Sequence, residues 1–236
     1  MASKLKTAFV CNECGSDYRK WQGQCTDCNA WNTLSEVKVN ATPHGISRHQ
    51  HSFSGASSGS INLLKDVELD EVPRVKSGNS ELDLVLGGGF VPGSCVLLGG
   101  EPGAGKSTIL LQTLCHMAQN ETALYVTGEE SSQQVAMRAR RLDLPLDKLQ
   151  IMTETSVENI CLVAKGKTPR LLVVDSIQVV HLEDITSAPG SVSQVRESAA
   201  ALVRFAKQTN TILIIVGHVT KDGTLAGPKV LEHMID

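Results

Sequence analysis

Beyond residue 90 the chain alternates between short runs of apolar residues and longer stretches whose apolar residues recur every three or four positions. Residues 94–98 form a compact run, Ser94-Cys95-Val96-Leu97-Leu98, that ends in glycine. Residues 106–119 follow it, with Ile109, Leu110, Thr113, Leu114 and Met117 at helical spacing. This pattern predicts a strand, a turn and a helix. Residues 122–127, 171–175 and 211–217 are further runs rich in Val, Ile and Leu, and helix-like stretches over 131–141 and 193–208 separate them. Strands without a polar face must be covered on both sides, so the pattern predicts an α/β fold with a mostly parallel sheet between helices.

The front of the chain is patterned differently. From Val39 to Ser60 it turns polar and small, with Pro43, Gly45, Gly55 and Gly59 among serines and three histidines, His44, His49 and His51. The histidines lack regular spacing and nearby thiols, so the stretch reads as a linker. The expected division is a small module over 1–38, a flexible linker over 39–60 and one principal domain over 61–236, since 236 residues hardly hold two large cores.

Composition narrows the setting. Hydrophobic content of 41% with 20% charged residues suits a globular chain, and no apolar run approaches the roughly 18 to 20 residues that span a bilayer. The start of the chain carries Lys4 and Lys6 but no apolar segment before Cys11, unlike a secretory signal. The expectation is a cytoplasmic protein without a membrane partner. The net charge of −3 gives no general reason to expect nucleic acid, so such a claim must rest on local features. Residues 1–50 carry six Lys or Arg against four Asp or Glu, a weakly basic head.

Four of the seven cysteines sit in two close pairs, Cys11-Asn12-Glu13-Cys14 and Cys25-Thr26-Asp27-Cys28, ten residues apart. Two residues between thiolates allow a tight turn that presents both sulfurs to one tetrahedral ion, and two such turns complete four-coordination. Cys11, Cys14, Cys25 and Cys28 are therefore the expected ligands of a zinc ion that is structural, because no coordination position stays open. Trp21, Trp31, Tyr18, Arg19 and Lys20 surround the pairs, either as packing material or as a surface for stacking on bases. Cys95, Cys115 and Cys161 lie among apolar residues and read as core thiols.

Gly100-Glu101-Pro102-Gly103-Ala104-Gly105-Lys106-Ser107-Thr108 fits the phosphate-binding pattern G-x-x-x-x-G-K-[ST], and it lies between an expected strand and helix, the context the pattern requires. The glycines let backbone amides turn toward phosphates, the helix N-terminus adds partial positive charge, Lys106 reaches the β and γ phosphates, and Ser107 can hold magnesium. ATP with magnesium is the expected ligand. Leu171-Leu172-Val173-Val174-Asp175 is an apolar strand ending in a carboxylate, the form of the second magnesium motif. Residues 123–130 are another strand ending in acid, so Glu129 or Glu130 can orient the attacking water.

Taken together, CNECGSDYRKWQGQCTDCNAWNT at 11–33, GEPGAGKST at 100–108, YVTGEES at 125–131 and HVTKDGTLAGPKVLEHMID at 218–236 resemble the bacterial RadA (Sms) family of DNA repair proteins. The resemblance covers essentially the whole chain. It implies a RecA-like P-loop NTPase core behind a four-cysteine zinc module, binding ATP and single-stranded DNA, acting with a recombinase filament and assembling as a homo-hexamer. Its implied activity is a DNA-dependent, helicase-like ATPase that drives branch migration in recombination intermediates. By motif position, the resemblance assigns Lys106, Ser107 and Thr108 to phosphate and magnesium, Glu129 rather than Glu130 to the catalytic base, Asp175 to magnesium and His218 to sensing the γ phosphate. DNA is expected at residues 181–192 and 219–229, where Lys221 and Lys229 can meet phosphates. Family members continue with a Lys-Asn-Arg-Phe-Gly motif and a Lon-like domain that this chain does not contain, so slow hydrolysis is expected of it. The competing readings are a KaiC-like signalling module that binds ATP without moving DNA, and a small-molecule P-loop kinase.

Overall fold

Buried carbonyl and amide groups need partners, and in this chain helices and strand pairing supply them. The computed structural model describes residues 6–11, 16–39, 73–218 and 229–236. The first strands, β1 (Lys6–Cys11), β2 (Asp17–Tyr18) and β3 (Leu34–Val39), form a three-stranded antiparallel sheet in the order β2-β1-β3. The chain is next described from residue 73, and a single-turn-and-a-half helix α1 (Ser80–Val85) precedes the main sheet.

That sheet contains β4 (Cys95–Gly100), β5 (Ala123–Thr127), β6 (Gln150–Thr153), β7 (Leu171–Asp175) and β8 (Ile212–His218). Its order is β4-β8-β7-β5-β6, and every neighbouring pair is parallel. The connecting helices are α2 (Lys106–Met117), α3 (Ser132–Arg141), α4 (Val157–Lys167) and α5 (Val192–Thr209). The fold class read from the sequence is the one observed.

Side chains on a strand alternate between faces, and the two halves of the core follow that period. Leu124 and Val126, Leu172 and Val174, Leu213 and Ile215 pack with α4 and α5. Ala123 and Tyr125, Leu171 and Val173, Ile212 and Ile214 pack with α2 and α3. The central strands thus read as continuous apolar runs because both faces are covered. Cys95 and Cys115 lie in these cores and Cys161 packs against one, as core thiols should. Burial pushes the Cys95 thiol up to about 12 and that of Cys161 up to about 11.

Local sequence sets the helix ends. Ser131 caps α3 in a reciprocal box with Gln134, and Ser156 and Ser191 accept from the third-residue amides of α4 and α5. Asn210 takes the left-handed conformation that ends α5. Residues 181–192, one of the two segments where DNA is expected, are stitched to α5. The buried side-chain amide of Gln194 donates to the carbonyls of Leu182, Ile185 and Ser187 and accepts from the amide of Leu182.

Leu172 is fully buried in the central strand β7. Leu172→Ala should cost about 2–5 kcal/mol through lost burial and the cavity left behind. A urea unfolding curve would then show a lower midpoint at an unchanged slope.

Candidate nucleotide site and metal centre

Register fixes which side chains share the carboxyl edge of the sheet, where open parallel sheets hold their ligands. Gly100 of β4 pairs with His218 of β8, and Asp175 of β7 pairs with Thr127 of β5. Strand β8 therefore lies between the Gly-rich loop and the strand that ends in Asp175.

The loop leaves β4 at Gly100. Gly103 and Gly105 adopt φ of 84° and 87°, a left-handed conformation that costs glycine nothing. No side chain caps the start of α2, which leaves its first amides directed at the space over the loop. Residues 101–105 are exposed, whereas Lys106 is buried to 9% exposure. Its Nζ donates to the carbonyls of Gly100 at 2.6 Å and Glu101 at 2.9 Å, so the ammonium lies folded over the same loop. Thr108 is half-buried in the first turn of α2.

Asp175 is 7% exposed. Its Oδ2 accepts from the Tyr125 hydroxyl at 2.7 Å and from Ser107 Oγ at 3.2 Å. Burial pushes this carboxyl up and the negative charges of Glu129 and Glu130 add to it, while the two hydroxyls pull it back only in part. Asp175 therefore titrates above the usual carboxylate range.

Glu129 shows the opposite balance. Burial pushes its carboxyl up, but hydrogen bonds from Ser176 and His218 and the charge of Lys106 outweigh it, and the net position is below the usual range. His218 Nε2 lies 3.0 Å from Glu129 Oε1, and the Ser176 hydroxyl donates to the same oxygen. Glu130 faces elsewhere and forms an ion pair with Arg138 of α3. The separation starts at Gly128, whose amide donates to the Asp175 carbonyl at 3.0 Å. A Cβ there would stand 2.6 Å from Val179 Cγ2 and 2.9 Å from Thr155 Cγ2, so only glycine lets the chain pass.

The structure brings Lys106, Ser107, Glu129, Asp175 and His218 onto one edge. Cys14 and Lys221 lie outside the described residues, as does the side chain of Lys229, whose backbone opens the 3-10 turn Lys229–His233. Tyr125, Ser176 and Arg138 were not singled out from the sequence. A tyrosine in a strand buried on both faces was itself a signal, because a buried hydroxyl requires a partner.

In the front sheet Cys11 ends β1, while Cys25 and Cys28 lie on a turn closed by the Asn29 amide donating to the Cys25 carbonyl at 2.8 Å. The Cys11, Cys25 and Cys28 sulfurs all lie within 4.8 Å of one another, and Cys11 and Cys28 are 3.7 Å apart. Sulfurs bound at about 2.3 Å to a tetrahedral zinc are roughly 3.8 Å apart, so this donor set fits zinc. The Tyr18 hydroxyl at 3.1 Å from Cys25 Sγ and Thr33 Oγ1 at 3.2 Å from Cys11 Sγ are placed to donate to thiolates.

A Gly-rich phosphate loop, an acid-ended strand one removed from it and a β4-β8-β7-β5-β6 parallel sheet define a RecA-like P-loop ATPase core, and the chain belongs to the AAA domain family, which it matches over residues 64–224. Residues 9–36 match the rubredoxin metal binding domain. More particularly, the chain is similar to the DNA repair protein RadA, as its sequence blocks indicated. It is 59% identical over 238 residues to RadA of Escherichia coli K12, covering 100% of this chain and 52% of that protein. It is 59% identical over 236 residues to RadA of Haemophilus influenzae, again covering 100% of this chain and 52% of the relative. The chain spans about half the length of these relatives. Among solved structures, a KaiC-like protein from Pyrococcus horikoshii OT3 aligns with a TM-score of 0.58 and 25% identity, covering 70% of this chain and 78% of the other. No helix among the described residues is long and apolar enough to cross a membrane.

The opposite titrations of the two acids give a sign test. A carboxyl raised in the folded state stabilises the fold below its unfolded pKa and loses that contribution as pH rises through its folded value. At neutral pH Asp175 is therefore a net burden on the empty protein, and Asp175→Asn should raise Tm at pH 7, with the difference shrinking as pH falls toward the acid range. For Glu129 the sign reverses. Its contribution is present above the unfolded pKa and lost as pH falls through the folded value, so Glu129→Gln should lower Tm at pH 7. Thermal melts of both variants from pH 4 to 8 read both signs.

Metal analysis of reduced protein purified without added zinc should return about one zinc per chain, and Cys25→Ser should lose most of it. A ratio near zero would remove the metal from the account.

Proposed function

We propose that this chain is the ATP-hydrolysing, single-stranded-DNA-binding core of a recombinational repair motor that promotes branch migration. The observation that carries the reading is the gathering of Lys106, Ser107, Asp175 and Glu129 on one sheet edge next to a helix N-terminus that no side chain caps. Similarity to RadA over the whole chain supports the DNA part.

In this reading the loop from Gly100 to Gly105 wraps the phosphates, and Lys106 exchanges its two carbonyl partners for phosphate oxygens. Ser107 and Asp175 would hold magnesium, which supplies positive charge against the phosphate oxygens. Asp175 suits that role because a cation repays the burial that now raises its proton affinity. Glu129, ionised at neutral pH and half-exposed at the edge, orients the attacking water. His218 couples Glu129 to the end of β8, and the two lysines beyond it, Lys221 and Lys229, are proposed DNA contacts. Assembly as a hexamer, action beside a recombinase filament and a cytoplasmic setting belong to the same proposal, as does the division into module, linker and ATPase domain. The likeness to a KaiC-like protein favours a second reading, an ATP-binding module that does not move DNA.

The test is ATP turnover with and without single-stranded DNA. Lys106→Ala should lose nucleotide affinity, because phosphate charge pairing goes. Glu129→Gln should keep ATP bound and slow hydrolysis by at least about 10²-fold, while Glu130→Gln keeps most of it. DNA-stimulated turnover supports the motor, and turnover indifferent to DNA supports the second reading. Normal hydrolysis in Glu129→Gln with loss in Glu130→Gln would move the base by one residue.

A further inference from the structure

The zinc module does not use its tryptophans to fold. Its small core consists of Cys11, Cys25 and Leu34, with Phe9 and Tyr18 packed against them. Trp21 and Trp31 stand apart, 57% and 69% exposed. An indole is the largest apolar group a chain can bury, and two left in water on so small a module mark a surface made to be covered.

The two rings are also placed together. A Cβ on Gly23 would lie 3.8 Å from Trp31 Cζ3 and 3.9 Å from Trp21 Cη2, so both indoles border this glycine. The backbone holds that spacing. Gln24 and Trp31 form an antiparallel bridge, and the Asn32 amide donates to the Gly23 carbonyl at 2.7 Å. Arg19 and Lys20, both exposed, immediately precede Trp21. Flat aromatic faces accept any base, and adjacent cations meet the phosphates between bases. A protein partner would call for a broader apolar patch, whereas the exposed neighbours here, among them Thr26, Asp27, Asn29 and Asn32, are polar.

We infer that Trp21 and Trp31, with Arg19 and Lys20, form a platform on which unpaired bases of a single strand stack, a nucleic-acid contact on the zinc module itself. This rests on the reading of the chain as a single-strand binder and adds a site to it. Duplex DNA, whose bases already stack on each other, fits poorly.

The chain contains two tryptophans, and both are in this platform. Tryptophan emission, excited to the red of tyrosine absorption, therefore reports on it alone. Zinc-loaded full chain is titrated with a fluorescently labelled oligo(dT), and anisotropy and tryptophan emission are followed in parallel. Emission should be quenched with the same midpoint as the anisotropy change, and duplex of equal length should quench far less. Trp21→Ala and Trp31→Ala should each weaken binding by about 5- to 150-fold, with zinc content and Tm unchanged, and Trp→Phe should restore much of the loss. Oligonucleotide binding with unaltered emission and full affinity in both alanine variants overturns the platform and leaves the DNA reading standing. Absence of any anisotropy change overturns both. Emission that responds only to an added recombinase filament overturns the platform in favour of a protein contact.

Discussion

Asp175 ends a strand that is buried on both faces, so its carboxylate has little water to stabilise it. An ionised carboxylate in such a place is costly unless hydrogen-bonded. Two hydroxyls meet the need, and they come from different elements: Tyr125 from the neighbouring strand β5, and Ser107 from the first turn of α2. The carboxylate thereby ties the helix behind the Gly-rich loop to the middle of the sheet, across the tip of β8. Because β5 and β7 pair with Thr127 opposite Asp175, the same tie fixes where the chain leaves β5 and enters Gly128. The site is a consequence of one buried charge and the register around it. Hydrogen bonding offsets the cost only in part, which is why Asp175 keeps a raised proton affinity and is suited to a cation.

Much of this was legible in the sequence, for identifiable reasons. Strands β5, β7 and β8 are apolar runs because both faces are covered, and β4, half-buried at one edge of the sheet, is apolar up to its glycines, so all four stand out whatever their partners. Strand β6 did not stand out. Its Gln150, Ile151 and Thr153 are exposed at the edge of the sheet, and edge burial leaves no strong period. Helix α4 was missed because only Val157, Ile160 and Ala164 are buried and its last turn carries Lys165, Gly166 and Lys167, and α1 because it spans only six residues without a buried one. The loop glycines, Lys106, Ser107 and Asp175 were legible because phosphate geometry constrains their spacing. Tyr125 signalled only that its hydroxyl needs a partner, not that the partner is Asp175, and Ser176 left no signal, since a hydrogen bond to a residue 47 positions away has no spacing to read. The zinc cysteines announced themselves by their pairs, but only the structure showed that Phe9 and Tyr18, and not the tryptophans, pack around them.

The neighbouring acids Glu129 and Glu130 illustrate why position alone cannot assign a base. Both follow Gly128, and both backbone amides approach the Thr127 hydroxyl, at 3.4 Å and 3.1 Å. Their side chains then diverge. Glu130 is matched by a guanidinium, whose Nη2 donates to its Oε1 in an ion pair. Water or a nucleotide would have to displace that pair before Glu130 could act. Glu129 is held by one hydroxyl and one imidazole, single donors that each reorient by rotation about a side-chain bond. Both tethers stabilise the ionised form, so the carboxylate arrives charged, yet neither matches the strength of an Arg pair. A group that must accept a proton has to be ionised beforehand and then released toward the attacking water. Of the two acids, only Glu129 is both ionised and loosely held. Under the proposed function the same comparison gives His218 its place, since an imidazole at the end of β8 would shift Glu129 only if the bond between them is one that can be exchanged.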